Sequence, residues 1–189
     1  DSESEEFRAL RRRFVLHAAC WLVGAMGDIE GREMLADLFG EDWIEEIENK
    51  PDSTDHEYER LCQRMAEGLA DSDLETRYAI LDELFHVLMN HETIDPTENA
   101  RMVALAEMLE LGVDELSVMA AQYADPEFAD YQFCEGGLVD VHLDGPWLTG
   151  MLRKVEPSGD LRVHFQHDDE ELRLSQTADL IRPSRKLAC

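Results

Sequence analysis

Val139-Asp140-Val141-His142-Leu143, followed by Asp144-Gly145-Pro146 and Trp147, marks where the chain changes its hydrophobic period. Apolar and polar residues alternate there with a period of two, as in a strand with one face buried. The Asp-Gly-Pro triplet then supplies a turn. The alternation returns in Leu161-Arg162-Val163-His164-Phe165, after a second turn at Pro157-Ser158-Gly159-Asp160. Residues 147–155 between the turns read as a strand. Residues 166–170 read as a loop and 171–174 as a short strand, and residues 178–183 close the segment. Short strands at near-regular spacing predict a small five-stranded barrel over residues 136–183.

Before this point the period is helical. Phe7, Leu10, Phe14, Ala18, Trp21 and Ala25 recur every three or four residues and form one apolar face. Met34, Leu35 and Leu38 continue in a shorter helix that ends at Gly40, and Trp43, Ile44 and Ile47 suggest a further helical turn. Thr54 and Glu57 have capping-box spacing ahead of Tyr58, Leu61, Cys62, Met65 and Leu69; Ser72 and Glu75 repeat it ahead of Leu74, Tyr78, Leu81, Phe85 and Leu88 on one face. Asp95-Pro96-Thr97-Glu98 combines a cap, a first-position proline and an acid at the positive helix end. That helix should run to Gly112, and a last one should span roughly 114–123 before Pro126. The expectation is a mainly α chain with a separate small β domain: an acidic tail at 1–6, a multi-helix bundle over 7–126, a linker at 127–135, the barrel, and a basic tail at 184–189.

The formal net charge is −26 and is unevenly spread. Residues 1–130 hold 33 acidic and 10 basic side chains, whereas residues 131–189 hold 10 and 7. Coulomb repulsion disfavours direct nucleic-acid binding by the helical part and favours partners with a basic surface. The alternative is a solvated surface that serves solubility. No apolar run reaches the roughly 20 residues of a membrane span, so membrane association would be peripheral, through partners. Cys20, Cys62, Cys134 and Cys189 form no CxxC pair, and the first two fall in apolar stripes. Buried thiols suit a reducing compartment, cytoplasmic or organellar. The chain begins at Asp1 rather than Met, which fits either a removed targeting segment or a trimmed chain.

Two segments share one layout. Each runs from a helix through a polar turn holding Ile29 or Ile94 to a glutamate four residues later, Glu33 or Glu98. The isoleucine would plug the gap between two helices and the glutamate would cap the second. With the Leu111-Gly112 break, this doubled pattern over residues 7–124 resembles the TerB family of tellurite-resistance-associated proteins. The resemblance implies a helical bundle whose acidic turns hold a divalent metal. The family's turn aspartate is Met26 in the first copy and His91 in the second; its glycine is Gly27 in the first and Glu92 in the second. Asp28, Glu30 and Glu33, or His91, Glu92, Asp95 and Glu98, would then be the converging oxygen-rich sets. The same residues also read as helix caps and surface charge.

Gly136, Val139 and Val141, then Asp144, Gly145, Trp147 and Gly150, then the closing Asp179-Leu180-Ile181-Arg182-Pro183 resemble Tudor and Agenet domains, which are Src-homology-3-like barrels. The resemblance covers residues 136–183 and implies protein binding, often to methylated Lys or Arg through an aromatic cage. Trp147 and Phe165 are the rings at hand, with His167 and Asp168 in the neighbouring loop; Trp147 equally reads as a half-buried barrel residue. His142 and His164 point outward in this alternation, as scattered surface histidines or, with His167, as a small metal cluster.

The expected function is a non-catalytic interaction or scaffold subunit of a larger assembly, without a cofactor. A divalent-cation-responsive stress protein and a methyl-lysine reader are the alternatives. The sequence holds no Gly-rich phosphate loop, HExxH or GxSxG. The remaining enzymatic reading is a nucleophile such as Cys20 paired with a distant histidine.

Overall fold

A computed structural model describes residues 4–24, 29–47, 55–90, 94–122, 135–142, 147–165, 171–174 and 181–183. The helices are α1 (Glu5–Val23), α2 (Ile29–Phe39), α3 (Asp55–Leu69), α4 (Leu74–Asn90), α5 (Pro96–Met108) and α6 (Val113–Gln122), with a 3₁₀ segment at Glu41–Glu46. Five strands follow: β1 (Leu138–His142), β2 (Trp147–Val155), β3 (Leu161–His164), β4 (Glu171–Leu174) and β5 (Ile181–Pro183). The mainly helical N-terminal region and the small C-terminal sheet match the expected kind of fold. None of the described helices is long and apolar enough to cross a membrane. The chain divides into two compact units, residues 1–91 with 100–112 and residues 92–99 with 113–189.

In the first unit α1 packs against α3 and α4. Its C-terminal half buries every residue from Phe14 to Val23 rather than a single stripe, which makes it the central helix of this unit. His17 lies in that run and is fully enclosed. Its Nδ1 stands 2.7 Å from the carbonyl of Arg13, so Nδ1 carries the proton and donates. Desolvation pushes the ring's pKa below its ordinary value, against the smaller opposing pull of that carbonyl. The unfolded ring takes a proton near its ordinary value of 6.5. Below that pH the unfolded chain binds more protons than the folded one, so stability is complete above about pH 6.5 and falls as the pH drops toward the folded value. Denaturation of the wild type at pH 7.5 and 5.5 should show this loss, with a slope of at most about 1.4 kcal/mol per pH unit from this group. His17→Gln should show a smaller difference between the two pH values.

Helix ends follow local chemistry. Ser4 accepts a bond from the Phe7 amide at the start of α1. Asp95 accepts one from the Glu98 amide at 2.8 Å, with Pro96 first in α5, as the sequence predicts. At α4 the cap is Asp73, which takes the Thr76 amide at 2.7 Å, and not the expected Ser72. Ser72 instead donates its hydroxyl to the carbonyl of Leu69 and helps close α3. Hydrogen bonds from Thr76 hold the Asp73 carboxyl below the usual range.

α5 ends at Met108, short of Gly112. The Leu111 amide reaches back to the Ala106 carbonyl, the Schellman closure, with Glu110 in the left-handed region at φ 58°. That conformation costs a non-glycine residue about 1–2 kcal/mol. Glu110→Gly should therefore stabilise the protein by about 0.5–1 kcal/mol, measured as a higher denaturation midpoint at unchanged slope.

The sheet has the order β4-β3-β2-β1-β5 and every pairing is antiparallel. β1 to β4 form a four-stranded meander, and the three-residue β5 lies on the outer side of β1. Among the described residues β4 and β5 are not paired with each other, so the sheet is open. Val139, Val141, Leu152, Leu161, Val163 and Phe165 form its core. A Cβ on Gly150 would stand 2.6 Å from Val163 and 2.9 Å from Phe165. Glycine is there because these side chains occupy that space.

Candidate interaction surface

The second unit decides what the sheet residues do. β1 is buried on both sides, and Asp140 and His142 are enclosed along with Val139 and Val141. This corrects the expectation that His142 points to solvent. The Thr149 hydroxyl donates to Asp140 Oδ1 at 2.7 Å and accepts the Ile94 amide at 2.8 Å, while the Thr149 amide donates to the Ile94 carbonyl at 2.9 Å. β3 pairs with β2 only from Met151 onward, so Ile94 takes the ladder position beside Thr149. The buried Asp140 carboxylate is thereby held by a hydroxyl that the Ile94 backbone orients.

Trp147 is 1 % exposed. Its indole Nε1–H donates to the Ala120 carbonyl at 3.2 Å, and its ring is tilted against His142 at 5.7 Å. Phe165 is also buried, in the core below Gly150. The two rings named for a cage therefore offer no open face, and a cation would reach them only if this core opened. His167 and Asp168 lie outside the described residues.

The turn residues separate in the same way. Asp28, His91 and Glu92 lie outside the described residues. Asp95 is the helix cap described above, and Glu98 is buried. Glu30 and Glu33 are exposed in the first turns of α2. Among the described residues no group of three or more His, Cys, Asp or Glu is arranged to hold a metal ion. Known proteins give no further guide. The chain matches no family model, no curated protein and no solved structure.

Two of the cysteines lie in the core of the first unit. Cys20 and Cys62 are both free and buried, and the Cys20 thiol lies 4.0 Å from the Tyr58 hydroxyl. Burial, helped by the neighbouring Cys20 and Glu59, pushes the Cys62 thiol up to about 12. Burial raises Tyr58 as well. A thiol so reluctant to ionise makes a poor nucleophile.

Two charged surfaces of the first unit remain. Along α2 and the 3₁₀ segment, Glu30, Glu33, Asp37, Glu41, Asp42, Glu45 and Glu46 are all exposed. Arg32 is the one basic residue between 29 and 47. Opposite in sign is the N-terminal half of α1, where Arg8, Arg11, Arg12 and Arg13 are four of the ten basic residues in 1–130. Arg8, Arg11 and Arg12 line a cleft of about 390 Å³ with Glu83 at its edge. Val15, Leu16 and Phe39 are its apolar lining. A tally of charge over the whole helical part hides this cluster; its signal is four arginines within six residues of an acidic chain.

Proposed function

We propose that the chain is a non-catalytic interaction or scaffold subunit of a larger assembly, in which a TerB-like helical domain is joined to a small Tudor- or Agenet-like barrel. Its acidic α2 and 3₁₀ surface docks a partner with a basic face. The observation that carries this reading is the run of seven exposed carboxylates between 30 and 46, a stretch whose one basic residue is Arg32, with Glu46 alone of the run paired to Arg12. A surface of one sign raises the encounter rate with the opposite sign and rejects like charge.

Crosslinking and pull-down from native extract test the reading, with the wild type beside a Glu33→Lys, Asp37→Lys, Glu41→Lys variant. Partners enriched in Lys and Arg should be captured by the wild type and lost from the variant, and capture should weaken as salt rises. An inert monomer, or equal capture by both proteins, overturns it.

The cation-responsive alternative rests on Glu30 and Glu33, one turn apart and exposed on α2. Calorimetry with calcium, magnesium, manganese and zinc tests it, and no heat at millimolar metal ends it.

A further inference from the structure

We infer that the open cavity on the exposed face of α3 binds a small polar phosphomonoester, of the sugar phosphate class, through Arg60 and Arg64. The cavity measures about 610 Å³, within the roughly 300–1,000 Å³ usual for small-ligand sites. Among the described residues Glu57, Arg60, Gln63 and Arg64 line it, and all four are exposed. Residues 63 and 64 follow residue 60 by three and four positions, so two guanidiniums and an amide share one face within about a turn of helix.

These two arginines differ from the others of the first unit, which has nine among its described residues. Seven are engaged: Arg12 with Glu46, Arg11 with Glu83, Arg77 and Arg101 with helix-end carbonyls, and Arg8, Arg13 and Arg32 with other groups. Arg60 and Arg64 alone make no hydrogen bond or ion pair among the described residues. Glu67 is exposed three positions after Arg64, a spacing that permits pairing, yet no pair forms. An arriving oxyanion therefore displaces no ion pair from either guanidinium. Glu57 is engaged elsewhere and lies seven residues before Arg64, about 10.5 Å along the axis. Its charge sets the anion toward the Arg64 end of the cavity.

The donor set selects the anion. A phosphomonoester carries nearly two negative charges at neutral pH and three acceptor oxygens. Two guanidinium forks match that charge, and the Gln63 amide can donate to an oxygen they leave over. A carboxylate, with one charge and two oxygens, would use only one fork. The described lining holds no apolar residue and the cavity is larger than a bare phosphate, so the body of the ligand is polar. The net charge limits its size. At physiological salt the Debye length is about 8 Å, so a small anion here feels chiefly the two arginines. A nucleic acid or an acidic protein extends beyond that range and meets the repulsion of a chain of charge −26.

Glucose 6-phosphate, titrated into the full chain by calorimetry, is the probe, with glucose as its neutral counterpart and inorganic phosphate as the bare anion. The ester should bind with Kd below about 1 mM, inorganic phosphate several-fold more weakly, and glucose at least about tenfold more weakly. Arg60→Gln and Arg64→Gln should each weaken ester binding by about tenfold or more. Arg64→Lys keeps the charge without the fork and should lose part of that. Glu67→Gln, on the same helix, should bind at least as tightly as wild type. All four changes are at exposed positions, and circular dichroism checks that the variants fold. Equal binding of glucose and its phosphate overturns the assignment, as does no ester binding at millimolar concentration. So does wild-type affinity in both glutamine variants at 60 and 64, or a phosphoserine decapeptide that binds more tightly than the sugar phosphate.

Discussion

Trp147→Ala is expected to destabilise the second unit by about 3–5 kcal/mol, read as a lower urea midpoint of the sheet signal in circular dichroism. Trp147 is the largest fully buried side chain among the described residues. Truncation removes its apolar contacts and leaves a cavity against His142, its register partner on β1. It also strands the Ala120 carbonyl, which takes the indole N–H at the C-terminal end of α6, a helix with no basic residue in its last turn. Trp147→Phe keeps most of the ring volume and loses only the N–H bond, so it should cost about 1–2 kcal/mol. A surface ring serving as a reader would tolerate alanine to within about 0.5 kcal/mol. That outcome would refute the buried placement. The order of costs also governs any methyl-lysine experiment: lost binding in Trp147→Ala would report lost structure, and only the phenylalanine variant separates the two.

The helices and strands were legible because an apolar period runs through most of them. Leu138–His142 and Trp147–Val155 fall within a residue of the alternating stretches, and Pro96–Met108 starts where Asp95-Pro96 says it should. The misses have local causes. Ser72 and Asp73 are adjacent and both suit a cap, and spacing to Glu75 alone favoured the wrong one. Gly112 looked like the stop of α5, yet the chain turns two residues earlier with Glu110 strained, because the Leu111 amide is placed to reach Ala106. The larger miss is at Asp140 and His142. Alternation says which residues share a face of β1; it does not say that the second face is also covered. Ile94, more than 40 residues away in sequence, bonds to Thr149 beside Asp140. No local pattern announces such a pairing. The sequence placed Asp95 as a helix cap, because caps are local, but gave the acidic charge only as a total over residues 1–130. It missed the α1 cleft, because Phe39 and Glu83 join Arg8, Arg11 and Arg12 only through folding.

Scarce cations are drawn to the ends of helices in the first unit. Neither α1, α2 nor α5 has a basic residue in its last turn. Each instead receives a guanidinium from another helix or its approach: Arg101 at the Trp21 carbonyl, Arg12 at Phe39, and Arg77 at Leu109 and Glu110. Such cations satisfy orphan carbonyls and complement the negative end of the dipole. Arg77 and Arg101 are partly buried in doing so, whereas Glu33, Asp37 and Glu41 stay exposed.

Among these arginines Arg101 should matter most, and Arg101→Ala is expected to cost about 2–4 kcal/mol. Its Nη1 lies 2.8 Å from the Trp21 carbonyl and its guanidinium carbon 5.5 Å from the centre of the Trp21 ring. It therefore serves the last turn of the central helix, next to Gly24, whose left-handed conformation ends that helix. Arg101→Lys keeps the charge but loses the planar group that bonds the carbonyl and covers the ring together, so about half the loss should remain. Arg64→Ala, on the exposed face of α3, should change stability by no more than about 0.5 kcal/mol. Urea denaturation orders the three variants, and hydrogen exchange should place the loss in the last turn of α1 before global unfolding. A lysine variant as stable as wild type would mean that charge alone sets the contribution, and the stacked, hydrogen-bonded role of Arg101 would fall.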